Sequence, residues 1–254
     1  MAPALVTAGL GVRFGGHQAV DSVTCTFTAG TLTAIVGPNG AGKTTFFNLL
    51  SGHTAATEGD VFLFGERITT WPAAKRARRG LGRGFQLTNL FPNLSAHENV
   101  RLAVQARQGA RRPFLSRWSR HRNLIDEAHA VLVRTGLEAH RDAPAKVLSH
   151  GDQRKLEVAV LTALAPRVYL FDEPTAGMSA DEVPAVLDLI AALKAEGGYT
   201  ILLVEHKMDV ITRLADRVIV LHQGVLAADG DIATVMSSDL VQQAYLGRAP
   251  RGHH

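Results

Sequence analysis

The sequence predicts an α/β fold in which a mostly parallel sheet carries helices on its faces, with an N-terminal antiparallel β layer and an inserted α-helical segment. Three observations lead there. Short apolar runs at Leu32 to Val36, Val168 to Phe171 and Thr200 to Val204 alternate with segments of helical spacing, the pattern of parallel strands buried on both faces. The first run ends in a glycine-rich loop and the other two end in charged residues, which belong at the C-terminal edge of such a sheet. Between them, from about Ser95 to Ala165, the patterning is helical and no segment reads as a strand.

Taken in order, Ala4 to Phe14 and Ser22 to Phe27 read as short strands in a turn-rich region. Leu32 to Val36 is the first core strand, and Lys43 to Leu50 a helix with apolar residues on one side. The helical segment, placed between the first two core strands, contains Asn99 to Gln105, Leu124 to Thr135 and Asp152 to Leu164. After the strand at Val168, Asp181 to Leu193 repeats Val183, Val186, Leu187, Ile190 and Leu193 at helical spacing. Arg217 to Leu221 and Gly224 to Ala228 form a late strand and its hairpin return.

Composition narrows the function. With 254 residues, 46% hydrophobic and 20% charged, the chain buries a sizeable core, and disorder, fibre and coiled coil are excluded as its general state. No apolar run reaches the roughly 20 residues needed to span a bilayer. The first residues lack a basic stretch followed by an apolar one, so a cytoplasmic location is expected. Cys25 is the single cysteine, which excludes an intrachain disulfide and a cysteine-built zinc cluster. The net charge is only +4 but is unevenly spread. Lys75, Arg76, Arg78, Arg79 and Arg83 form one basic cluster, and an arginine-rich stretch from Gln108 to Asn123 reads either as a solvated connector or as a contact for an anionic surface.

The chemistry is concentrated in Gly37-Pro38-Asn39-Gly40-Ala41-Gly42-Lys43-Thr44, which fits the phosphate-loop pattern G-x-x-x-x-G-K-[ST] in its required strand-to-helix position. Glycines let successive N–H groups turn inward toward phosphate oxygens, and the helix adds its positive end, worth about 0.3–1 kcal/mol per charge. Lys43 is suited to the β and γ phosphates, Thr44 to Mg²⁺, and Thr45 to a further phosphate contact. Asp172 and Glu173 end a buried strand, where one acid is placed to hold Mg²⁺ through water and the other to polarise an attacking water. His206, ending the next strand after Glu205, is placed to contact the γ phosphate and that water.

With these residues in hand, nearly the whole chain resembles the nucleotide-binding subunit of an ATP-binding cassette (ABC) transporter, a P-loop NTPase with a RecA-like core. The family's second motif, usually Leu-Ser-Gly-Gly-Gln, stands here as Leu148-Ser149-His150-Gly151-Asp152. The resemblance implies that Ser149 and Gly151 bind the γ phosphate of ATP held by an opposite subunit. It likewise implies that Phe14 stacks on adenine, that Gln86 touches Mg²⁺ and the attacking water, and that Ser179 replaces a common aspartate in the loop after the strand. It divides the single ABC ATPase domain, 1–254, into a RecA-like core with its antiparallel layer (1–87 and 166–235), a helical subdomain (88–165) and a C-terminal helix and tail (236–254).

Several segments narrow the resemblance further. Ser149 to Glu157, Asp172 to Ser179, Leu203 to Met208 and Ala244-Tyr245-Leu246-Gly247 are similar to ATPase subunits of branched-chain amino acid importers, the Liv type. That implies ATP and Mg²⁺, two transmembrane permease subunits, a second ABC ATPase subunit and, indirectly, a periplasmic substrate-binding protein, at the cytoplasmic face of the inner membrane. Urea importers and lipopolysaccharide exporters share several of these features and remain alternatives. A soluble nucleic-acid-associated ABC ATPase is a third, disfavoured by the short helical insert and by a basic stretch whose only aromatics are Phe114 and Trp118.

Overall fold

The structure is a computed structural model and describes residues 2–84, 90–108 and 122–237. Two strands, β1 (Pro3–Phe14) and β2 (His17–Thr28), form an antiparallel hairpin. With β4 (Glu58–Leu63) and β5 (Glu66–Arg67) they make a four-stranded antiparallel sheet of order β2-β1-β4-β5. The second sheet has six strands. These are β3 (Leu32–Val36), β6 (Leu81–Gly84), β7 (Val168–Asp172), β8 (Thr200–Val204), β9 (Arg217–His222) and β10 (Val225–Gly230), in the order β10-β9-β3-β8-β7-β6. All its pairings are parallel except β10 with β9.

The alternation of side chains on the parallel strands explains why both of its faces are covered. On β8, Leu202 and Val204 join Phe46, Phe47, Leu49 and Leu50 of α1 (Lys43–Ser51) and the inner face of the antiparallel sheet. Ile201 and Leu203 point the other way and pack with Val186, Leu187, Ile190 and Leu193 of α6 (Val183–Glu196). The four α1 side chains are at most 1% exposed, so each contributes about 1.5–3 kcal/mol relative to an exposed position. α1 is thereby clamped between two sheets, and its N-terminus stays fixed at the end of β3.

A third apolar cluster belongs to α3 (Ala96–Arg107), α4 (Arg122–Arg134) and α5 (His150–Ala163), with Val100, Val104, Leu124, Leu132, Leu137 and Leu156 at its centre. Ser95 caps α3 by accepting the Glu98 N–H, and Ser149 caps α5 by accepting the Asp152 N–H. Three short α-helices, α2 (Ala73–Arg78), α7 (Met208–Leu214) and α8 (Ile232–Ser237), and two 3-10 turns, Glu138–His140 and Ala145–Val147, complete the helices of the described residues. No described helix is long and apolar enough to cross a membrane.

Three features differ from the sequence expectation. Neither β4 nor β6 was anticipated, because Glu58-Gly59-Asp60 opens β4 and Leu81-Gly82-Arg83-Gly84 carries too few β-forming residues to read as a strand. Because β6 is a core strand paired with β7, the helical stretch follows the second strand of the six-stranded sheet rather than the first. The basic cluster at 75–83 is also not one patch but is divided between surface and interior. Arg76 is 2% exposed and donates to the carbonyls of Leu49, Leu50, Thr69 and Trp71, and Arg83 is likewise turned inward. The stretch 109–121, with Arg111, Arg112, Phe114, Arg117 and Trp118, lies outside the described residues, as does 238–254.

Candidate active site

The site is assembled at the C-terminal ends of β3, β7 and β8. From Val36 the chain turns through Gly37 to Gly42 and enters α1 at Lys43. Gly42, the helix N-cap, has φ +95°, and a Cβ there would lie 2.6 Å from the Ala19 carbonyl oxygen, so the turn admits only glycine. The first turn of α1 holds no acidic residue, leaving its positive end available to an anion. Lys43 is 6% exposed, and its ammonium donates to the carbonyls of Gly37 (2.7 Å) and Pro38 (3.1 Å), folding the side chain back along the loop. Burial pushes its pKa below the ordinary lysine value, while the nearby Glu173 and Asp172 act the other way.

A cavity of about 400 Å³ opens over this loop. Asn39, Gly40, Ala41, Gly42, Lys43, Thr44 and Thr45 form its floor, Phe14 one wall and Glu173 another. Phe14 reaches it because it ends β1 at the hairpin turn, where it is 52% exposed rather than packed in the core. His17 and Ala19 of β2 also line the cavity. They were not singled out from the sequence, where nothing but proximity to the same turn marks them.

The acidic end of the site comes from two neighbouring strands. Asp172 pairs in register with Val204, so Glu173 and the Glu205-His206 turn emerge side by side. Glu173 takes a left-handed φ of +52°, an uncommon conformation for a non-glycine residue, and its N–H bonds the Val204 carbonyl at 3.0 Å. His206 Nε2 lies 2.7 Å from Glu173 Oε1, and both side chains are partly exposed. Glu205 is 3% exposed; it accepts the Thr175 hydroxyl and the His206 N–H, bracing the histidine turn against the chain that follows Glu173.

Asp172 is almost fully buried and has a partner that the sequence did not reveal. Arg83, on the adjacent edge strand β6, donates from Nη2 to Asp172 Oδ2 at 2.8 Å and from Nη1 to Asn48 Oδ1 and Ser51 Oγ of α1. Burial raises the Asp172 pKa and the Arg83 charge opposes that rise. No group of three or more histidine, cysteine, aspartate or glutamate side chains is arranged to hold a metal ion by itself among the described residues. The Thr44 hydroxyl and the Asp172 carboxylate are hard oxygen donors, the chemistry that suits Mg²⁺ when phosphate oxygens and water complete its shell.

Ser149 and Gly151 stand apart from this assembly. They begin α5 and are not among the residues lining the cavity. Ser149 Oγ accepts the Asp152 N–H, and the Gly151 N–H is bonded to the carboxylate of Glu182. Gln86 lies outside the described residues.

A phosphate-binding loop at a strand-to-helix turn, an aromatic wall and a buried strand ending in two carboxylates define a P-loop nucleotide-binding ATPase. The profile of the ABC transporter family matches residues 20–176. The chain is 36% identical over 252 residues to the high-affinity branched-chain amino acid transport ATP-binding protein LivG of Escherichia coli K12, covering 97% of this chain and 99% of that one. It is 35% identical over 254 residues to the protein of the same description, BraF, of Pseudomonas aeruginosa, with the same coverage of both. A crystal structure of a nucleotide-free ATP-binding cassette from an ABC transporter superposes with a TM-score of 0.84 at 27% identity, covering 97% of this chain and all of that one. The chain therefore belongs to the ABC transporter family, as an ATP-hydrolysing, ATP-binding cassette.

Proposed function

We propose that this cassette powers the import of branched-chain or other amino acids, working with two membrane-embedded permease subunits and a second ATPase subunit at the cytoplasmic face of the membrane. What supports this reading is the end-to-end match to LivG and BraF, whose names state that transport. A periplasmic binding protein would deliver the substrate.

The observation that carries the ATPase mechanism is the shared cavity: Phe14, the loop from Asn39 to Thr45 and Glu173 face one space. In it the exposed Phe14 ring stacks on the adenine. The loop N–H groups and Lys43 hold the phosphates. Thr44 and, through water, Asp172 would hold Mg²⁺, with Gln86 added on the family pattern; Mg²⁺ neutralises charge on the phosphate oxygens when bound. Glu173 orients and deprotonates the attacking water, and His206, hydrogen-bonded to Glu173, lies where it can also meet the γ phosphate. Ser149 and Gly151, which do not line their own cavity, complete the site of an opposing subunit. ATP thus holds two cassettes together until it is hydrolysed, and their closing and opening drive the permeases. The subdomain at 88–165 would carry Ser149 and Gly151 as one body, with the segment from Gln86 to Leu94 contacting the permease.

The test is Glu173→Gln. If Glu173 is the general base, hydrolysis falls by roughly 10²- to 10⁴-fold while ATP binding, followed with a fluorescent analogue, is retained. Turnover at the parent rate would remove Glu173 from that role.

A further inference from the structure

The Gly151 N–H is assigned above to the γ phosphate of the opposing subunit's ATP, yet within the chain it already has an anionic acceptor. Glu182 Oε1 receives it at 2.9 Å, while Glu182 Oε2 receives both the Ser179 hydroxyl (2.8 Å) and the Ser179 N–H (3.2 Å). One carboxylate thus bridges the start of α5 and the turn that follows Glu173. The approach is close enough to dictate the residue: a Cβ on Gly151 would sit 2.7 Å from Glu182 Oε1. The bonds from Ser179 and Gly151 also hold the Glu182 carboxyl below its usual pKa, so it is ionised at neutral pH.

We infer that Glu182 is a positioning residue that occupies the γ-phosphate donor of the helix start and must release it before two copies of this chain close on ATP. The inference rests on the ATP-sandwich reading above. An amide carries one hydrogen and cannot give a full bond to a carboxylate and a phosphate together, and two anions on the same N–H repel. Release leaves Glu182 its two bonds to Ser179, so the carboxylate has a second resting place and the turn keeps its cap. Closure is then sensitive to the turn following Glu173, which holds Ser179 and Glu182.

The experiment measures ATP-driven self-association of the full chain by analytical ultracentrifugation in the Glu173→Gln background, with and without Glu182→Ala, and with Ser179→Ala as the control that loses the neighbouring bond but leaves the carboxylate. Glu182→Ala is expected to tighten association by roughly 10- to 100-fold, the worth of one released hydrogen bond in each of the two copies, with Ser179→Ala giving no tightening. Unchanged or weaker association in Glu182→Ala, with the parent still pairing, overturns the inference and makes Glu182 a brace for the closed state. No ATP-driven association in the Glu173→Gln parent overturns the self-pairing beneath it.

Discussion

Replacing Arg83 by Met tests whether the acidic end of the site is held by a buried ion pair. The two side chains are 9% and 4% exposed. Removing the guanidinium therefore leaves the Asp172 charge without its partner in a low-dielectric setting, at a cost of about 3–5 kcal/mol. For a chain of this size that corresponds to a fall in melting temperature of roughly 6–20 °C. Adding Asp172→Asn should recover much of the loss, because the uncompensated charge goes with it. The sign of the pH effect follows from the same pair. Asp172 has its folded pKa raised by burial. A raised folded pKa means the native state holds more protons, so the contribution to stability falls as pH rises through the carboxylate range. Arg83→Met removes what opposes that rise, and its deficit should be larger at pH 7 than at pH 5. The assay is calorimetric melting of the parent, both single variants and the double variant at the two pH values, without nucleotide. Additive losses in the double variant, or a deficit independent of pH, would refute the ion pair as the cause.

Two further outcomes follow from the site. Phe14→Ala should weaken ATP binding about 5- to 100-fold through lost stacking, measured by titration calorimetry. Its melting temperature should barely change, since the ring is 52% exposed. Gly42→Ala faces both a left-handed φ and the Ala19 carbonyl; it should lose about 1–3 kcal/mol of stability in chemical denaturation and most nucleotide binding.

The legible parts of this fold were those in which one strand or one loop carries its own signal. Leu32 to Val36 and Thr200 to Val204 are buried at every position, and the polar groups that end them, the phosphate loop and Glu205-His206, mark the sheet edge without reference to anything distant. Phe14 was legible only through family resemblance, because a single phenylalanine before a turn says nothing about whether it faces core or ligand. Arg83 was not legible at all. Its neighbours Lys75, Arg78 and Arg79 made it look like one member of a basic cluster, and its true partner is 89 residues away on a strand that pairs with its own. β6 was missed for a related reason: two glycines and an arginine in four residues do not read as a strand, and only pairing with β7 makes it one. Glu182 had a faint signal in Ser179-Ala180-Asp181-Glu182, which fits a capping box. Its second bond, to Gly151, is a tertiary contact no local pattern encodes.

The most direct test of the transport role is to extract the protein from native membranes in mild detergent and identify its companions by mass spectrometry. Recovery with two permease chains, a sister or second ATPase and an amino-acid-binding periplasmic protein is the expected result. Recovery only in the soluble fraction, accompanied by nucleic acid or ribosomes, would contradict it and leave the cassette an ATPase of a different kind.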